Sequence, residues 1–171
     1  MFCLTSFYGQ GQSCVDFEAL EDGTTFSPGG IIDISYDVSM SVRHSTGANS
    51  GGAGSVSVLT DMYEGLDGLM LKTDNALALF KTKRKISNLT IALKEVGGEV
   101  EVHVDKDKRT FPSIAYLEGS SVGAAKLSLV YGTEGQPVGV TITGSFDECA
   151  IGGTQVWLDN LCTSGMTVAG R

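Results

Sequence analysis

Ile32-Asp33-Ile34-Ser35-Tyr36-Asp37-Val38-Ser39-Met40-Ser41-Val42-Arg43-His44 alternates apolar and polar side chains without a break for thirteen residues. Successive side chains of a strand point to opposite faces. The spacing therefore predicts one long strand, with Ile32, Ile34, Tyr36, Val38, Met40, Val42 and His44 on a buried face and the rest wet. On a helix the same apolar residues would scatter around the whole circumference. A one-residue slip would carry polar side chains into the core, so the stretch is expected to set the register of its neighbours.

Outward from this stretch, short strand-like runs recur between turn residues. Toward the N-terminus, 14–20 reads as a first strand with Val15, Phe17 and Ala19 on one side, followed by an Asp22-Gly23 turn, a short strand at 24–26 and the breaker Pro28-Gly29-Gly30. Toward the C-terminus come a glycine-rich loop at 45–54, a strand at 55–59, a mixed acidic and glycine segment at 61–75 and an apolar run at 77–80. The basic run Lys81-Thr82-Lys83-Arg84-Lys85 follows. Segments 86–93 and 100–104 read as strands of a hairpin turning at Gly97-Gly98, and 113–117, 125–131, 138–144 and 154–162 complete the set. No segment has convincing amphipathic helical spacing. With 23 glycines, 3 prolines and only 19% charged residues in 171, the chain reads as an all-β antiparallel sandwich of about nine or ten strands. Residues 1–13 read as an N-terminal arm, 14–162 as the sandwich and 163–171 as a C-terminal tail.

The net charge of −8 argues against a nucleic-acid binder, which carries a basic footprint. It suits solubility, calcium binding or a salty extracellular setting. Met1–Tyr8 is too short and polar for a signal peptide and no run has transmembrane length, so no membrane insertion is expected, and a secreted protein would have shed its signal.

Four cysteines stand at 3, 14, 149 and 162. They are either scattered thiols or two bridges between the ends of the chain. Three pairings are open. Because 14–20 and 156–162 read as terminal strands, Cys14–Cys162 and Cys3–Cys149 are the expected pairs, implying an oxidising, extracellular compartment.

Three patches carry a resemblance. Cys14-Val15-Asp16-Phe17-Glu18 with Asp22-Gly23-Thr24-Thr25-Phe26, the segment Leu59-Thr60-Asp61 with Gly65-Leu66-Asp67-Gly68-Leu69, and the closing 151–162 run Ile-Gly-Gly-Thr-Gln-Val-Trp-Leu-Asp-Asn-Leu-Cys resemble secreted β-jelly-roll domains, similar to galactose-binding-like carbohydrate-binding modules. The resemblance implies a jelly-roll sandwich. It also implies a structural calcium ion where first and last strands meet, at the matching positions Asp16, Glu18 and Asp159, with Glu21 and Asn160 as outer ligands. Hard cations take such oxygen clusters; the bland alternative is a wet edge that binds nothing. A second acidic group, Asp61, Glu64, Asp67 and Asp74, lacks the spacing of a calcium-binding helix–loop–helix.

Sugar binding calls for an exposed aromatic platform with planar polar groups beside it. The candidates are Trp157, the only tryptophan, with Gln155 and the loop residue Tyr63; Tyr116 and Tyr131 are unspecified extras. The competing reading packs Trp157 beneath a loop. His44 reads as a core or rim histidine and His103 as solvated. No catalytic order of Ser, His and Asp is present, so no enzyme is expected. Asn88-Leu89-Thr90 is a glycosylation sequon. The basic groups 81–85 and 106–109 are solvated turns or contacts to an acidic like subunit. The function expected from the sequence is a calcium- and disulfide-stabilised extracellular module binding polysaccharide or extracellular matrix. The alternative is a self-assembling structural subunit of a filament, shell or surface layer; a polysaccharide-degrading enzyme comes third.

Overall fold

The computed structural model describes residues 12–46, 54–63 and 66–165, without the side chains of 62, 63 and 67. Most of the arm, the end of the tail and most of the glycine-rich loop lie outside the described residues. Ten strand runs form one large antiparallel sheet: β1 Ser13–Val15, β2 Thr25–Phe26, β3 Ile31–Asp33, β4 Val38–His44, β5 Ser55–Tyr63, β6 Leu66–Val104, β7 Asp107–Phe111, β8 Ser121–Val122, β9 Ala125–Tyr131 and β10 Pro137–Ser164. A 3-10 helix, Ile114–Leu117, stands where a strand was expected.

β6 and β10 are each several strands in one. Segment 148–158 of β10 runs between 71–81 and 93–104 of β6, so that Gly153 faces Ala76 on one side and Val100 on the other. All three segments change faces on one line across the sheet. Before Asn75, Leu69 and Leu71 point into the main core while Leu66 and Met70 point outward; after it, Ala76, Ala78 and Phe80 point inward and Leu77 and Leu79 outward. β10 switches from Cys149 and Ile151 to Val156 and Leu158, and β6 switches a second time from Leu89, Ile91 and Leu93 to Val100, Val102 and Val104. Strict alternation cannot do this without an extra or left-handed residue at the step. Asn75 (φ 49°), Gly98 (φ 84°) and Gly153 (φ 148°) supply it. A Cβ on Gly153 would strike the Glu99 carbonyl, and one on Gly98 would strike the Thr154 side chain.

The crease folds the sheet over on itself into a sandwich-like body. Core residues from both halves, such as Val42, Phe80 and Val102 with Ile91, Leu127, Ile142 and Leu158, form one buried cluster between the layers.

Several sequence expectations change here. The thirteen-residue strand is a hairpin: Ile34 and Ser35 donate their backbone N–H to the Val38 carbonyl, both at 3.1 Å. The alternation survives in β4, where Val38, Met40 and Val42 are buried, but Tyr36 sits 84% exposed at the tip and His44 is exposed. Asp, Ser and Asp at alternate positions fit a wet strand face and a turn equally well. The first strand stops at Val15, because Phe17 takes a left-handed φ of 62°. Its ring is buried against Phe80, centroids 6.2 Å apart, so burial of a large aromatic offsets an unfavourable backbone. Gly97-Gly98 is a bend within β6, not a hairpin.

Cys14 and Cys162 face each other across β1 and β10 and are joined by a disulfide spanning 148 residues of sequence. A loop that long, closed covalently, contributes roughly 4–5 kcal/mol in the chain-entropy account. Cys149 is a free, buried thiol; its expected partner Cys3 lies outside the described residues. No helix among the described residues is long and apolar enough to cross a membrane.

Replacing Gly153 with Ala is expected to cost roughly 2–4 kcal/mol through the carbonyl collision and the lost left-handed conformation. Asn75→Gly is expected to stay within about 1 kcal/mol of the wild type, since glycine accepts the same φ. Urea unfolding midpoints check both; equal losses would show that the crease does not depend on these dihedrals.

Candidate functional site

At the crease end Gly153 of β10 stands between Ala76 and Val100 of β6, leaving no room for a cavity. The opposite end is where turns gather. Ser39 stands across from Lys81, and Lys81 across from Glu148, while Asp105 donates its backbone N–H to the Glu148 carbonyl at 2.8 Å. The β3–β4 hairpin, the 82–86 turn of β6 and the 146–148 step of β10 therefore meet at one end of the body.

This end is well ordered by hydrogen bonds. The Lys83 backbone N–H donates to the Asp37 carbonyl at 3.0 Å. The buried Thr82 hydroxyl reaches the Arg84 carbonyl at 2.7 Å and the Asp147 carbonyl at 3.2 Å. The Ser35 hydroxyl accepts the Val38 N–H at 3.2 Å. Above this frame the Lys83 ammonium stands 3.8 Å from the centroid of the Tyr36 ring, a cation–π contact. A cavity of about 180 Å³ opens beside it, edged by Asp33, Ser35, Asp37, Ser39 and Lys81. A second cavity of about 210 Å³ lies on the other side of the hairpin, reaching Asp16 and Cys14 and sharing Asp33 and Ser35 with the first. The first is the groove beside the hairpin, with an aromatic ring, carboxylates, hydroxyls and ammonium groups along its rim.

The residues expected to hold calcium do not form a cage. Asp16 accepts the Glu18 N–H at 3.2 Å, Glu18 accepts the Leu69 N–H at 2.7 Å, and Asp159 accepts both the backbone and side-chain N–H groups of Asn160 at 2.7 and 2.9 Å. No three Asp, Glu, His or Cys side chains among the described residues stand close enough together to hold an ion. Asp61 and Asp74 pair with Gly68 and Ser55 near opposite ends of the β5–β6 ladder, and Glu64 lies outside the described residues.

The sugar platform expected at Trp157 is also displaced. Trp157 is only 7% exposed on the outer face, packed with Leu66 and Met70 and under the Lys72 ammonium, 5.7 Å from its ring. It is packing, not a platform. Gln155 is half-buried beside the crease, and the Tyr63 side chain lies outside the described residues. Asn88 sits mid-strand between Thr143 and Ser164, its amide donating to Ser87 at 3.2 Å and accepting from Thr143 at 3.1 Å.

Sequence reasoning passed over Glu101 and misplaced His103. Glu101 is 1% exposed, with one oxygen accepting from His103 Nε2 at 2.6 Å and Thr46 Oγ1 at 2.7 Å. The other accepts from Ser45 Oγ at 2.9 Å and the Thr46 N–H at 2.7 Å. A carboxylate only accepts, so Nε2 carries the shared proton. All of its roughly four lone-pair positions are used internally, so it clamps the chain leaving β4 onto β6 and has none left for a substrate. Burial pushes its pKa up, but the bonds from His103, Thr46 and Ser45 outweigh this and hold it below the ordinary 4.5. The Cys149 thiol is pushed up to about 12 by burial, then by Asp105 and Glu148, so it stays protonated and unreactive.

Compared with protein-family models, curated proteins and solved structures, the chain matches none.

Because the Glu101 pKa is lower in the folded than in the unfolded chain, its contribution to stability is present above about pH 4.5 and is lost as pH falls through the folded value. Glu101→Gln is expected to cost roughly 2–4 kcal/mol at pH 7, since its amide N–H₂ would face donors. The gap to wild type should shrink on acidification below pH 4.5. Urea titrations at several pH values test this; a gap independent of pH would refute the charged clamp.

Proposed function

We propose that this chain is a non-catalytic extracellular module that binds polysaccharide or matrix in the groove flanking the β3–β4 hairpin. One observation carries the reading: Tyr36 is 84% exposed beside a cavity rimmed by Asp33, Ser35, Asp37, Ser39 and Lys81. Sugars present apolar C–H faces and a rim of hydroxyls. An aromatic ring covers the first, and carboxylates, hydroxyls and ammonium groups bond the second. Lys83 takes one side of the ring, and at that exposure the other side is open to solvent. The cavity is smaller than the roughly 300–1,000 Å³ of enclosed small-molecule sites, which suits one sugar ring of a longer chain lying along the surface. The terminal disulfide supports an oxidising setting outside the cell, and the folded-over sheet is read as the jelly roll that the terminal motifs resemble.

A second reading, a self-assembling structural subunit, draws on Ile31. It is 78% exposed on β3, which among the described residues pairs with β4 alone. An open edge carrying an apolar side chain is a template for a further strand.

Tyr36→Ala is expected to weaken retardation in polysaccharide gels about tenfold, the usual order for an aromatic anchor, with the urea midpoint unchanged. Unaltered retardation would remove the hairpin site. Under the second reading, wild-type protein sediments as large particles at micromolar concentration and Ile31→Lys disperses them. A monomeric wild type would exclude it.

A further inference from the structure

Resting on the proposed glycan-binding reading, we infer that the polysaccharide taken by the hairpin groove is anionic, bearing carboxylate or sulfate groups. The chain is acidic overall, at −8, yet four of its twelve basic residues fall within positions 81–85. The fold brings that run to the rim of the groove: Lys81 and Lys83 line the cavity, and Lys83 stands over Tyr36. Lys81, Lys83, Arg84 and Lys85 are all exposed, as is Lys106 on the adjoining β6–β7 turn.

Three features make this an array rather than a solvated loop. First, the turn is pinned from within by the Thr82 hydroxyl and by the Lys83 N–H bond to Asp37, so little ordering entropy is lost on binding. Second, Lys83, Arg84 and Lys85 are consecutive exposed residues of that turn, so their charges share one short stretch of surface. Third, two carboxylates at this end of the body are engaged within the chain. Glu148 takes Arg43 at 2.7 Å, and Asp105 accepts the N–H groups of Asp147 and Glu148 at 3.2 Å each. Lys81, Lys83 and Arg84 make no ion pair with an acidic side chain among the described residues. Asp33 and Asp37 remain as acceptors for sugar hydroxyls. At the rim Lys81, Lys83 and Arg84 outnumber the two carboxylates Asp33 and Asp37, and repulsion from the acidic remainder is screened beyond about 8 Å at physiological ionic strength.

The test measures gel retardation of the whole chain in four polymers: neutral dextran, dextran sulfate, polygalacturonate and polyglutamate. The expected result is strong retardation in the sulfated or carboxylated glycan, weak retardation in dextran and polyglutamate, and release by roughly 1 M salt, where the Debye length falls to about 3 Å. Arg84→Glu, which leaves Tyr36 and Lys83 in place, should weaken binding to the anionic glycan roughly fivefold or more. The added Lys83→Glu should weaken it further, with the urea midpoint unchanged in both variants. Equal retardation in dextran and in the charged glycans overturns the anionic inference and leaves the glycan-binding reading standing. Equal retardation in polyglutamate overturns it in favour of an acidic protein surface, a second copy of this chain included. No retardation in any of the polymers overturns both.

Discussion

The structure depends on the crease in its three longest strand segments. A strand buries one face, and a sheet wide enough for ten strand runs would leave the other face wet or in need of a second layer. Here the second layer is the same sheet folded back, and the fold is possible only if the buried parity of each long segment reverses on one line. Asn75, Gly98 and Gly153 make that reversal in segments separated by as many as 78 positions, the difference of 153 and 75. Glycine takes these dihedrals without strain and Asn75 at a local cost, which the shared core between the layers offsets.

The crease also determines where chemistry can gather. At the crease, backbone comes so close to backbone that Gly153 admits no side chain. At the other end of the first layer the same strands terminate in turns, and turn side chains have room. The hairpin at 34–37, the basic turn at 83–85 and Asp105 converge there because Ser39, Lys81 and Glu148 share one row of the sheet. The groove lies at the end of the sheet that the fold leaves open.

These relations explain what was legible beforehand. Period-2 patterning disclosed the all-β class, the buried residues of β4 and the pairing of Cys14 with Cys162, since each depends on local alternation or on terminal strands lying together. The length and bending of β6 were illegible. Leu66, Met70, Leu77 and Leu79 are buried on the outer face and Leu71, Ala76 and Phe80 on the inner, so the apolar runs 69–71 and 76–80 show no alternation, and the polar residues 72–75 between them read as a break. Tyr36 was legible as a residue of an alternating stretch and misread for that reason: a two-sided hairpin tip repeats the same pattern. Glu101 carried no signal, because between Val100 and Val102 it looks like any wet strand residue. Its burial comes from Ser45 and Thr46, more than fifty positions earlier.

The two histidines and the two isolated acids show how the same residue type diverges with position. His44, on the apolar parity of β4, ends the strand and reaches water, whereas His103, on the polar parity, is drawn under cover by Glu101. Polarity of face is therefore a poor guide once a second element crosses that face. Glu148 and Glu101 differ in the same way. The Arg43–Glu148 pair is partly exposed, with 42% and 20% of the side chains accessible, so it contributes about 1 kcal/mol at most. It nonetheless engages Glu148, which stands across from Lys81 in the sheet. An ion pair of little consequence for stability thus removes one acidic partner from the neighbouring lysine, and it matters more to the electrostatics of the groove than to the fold.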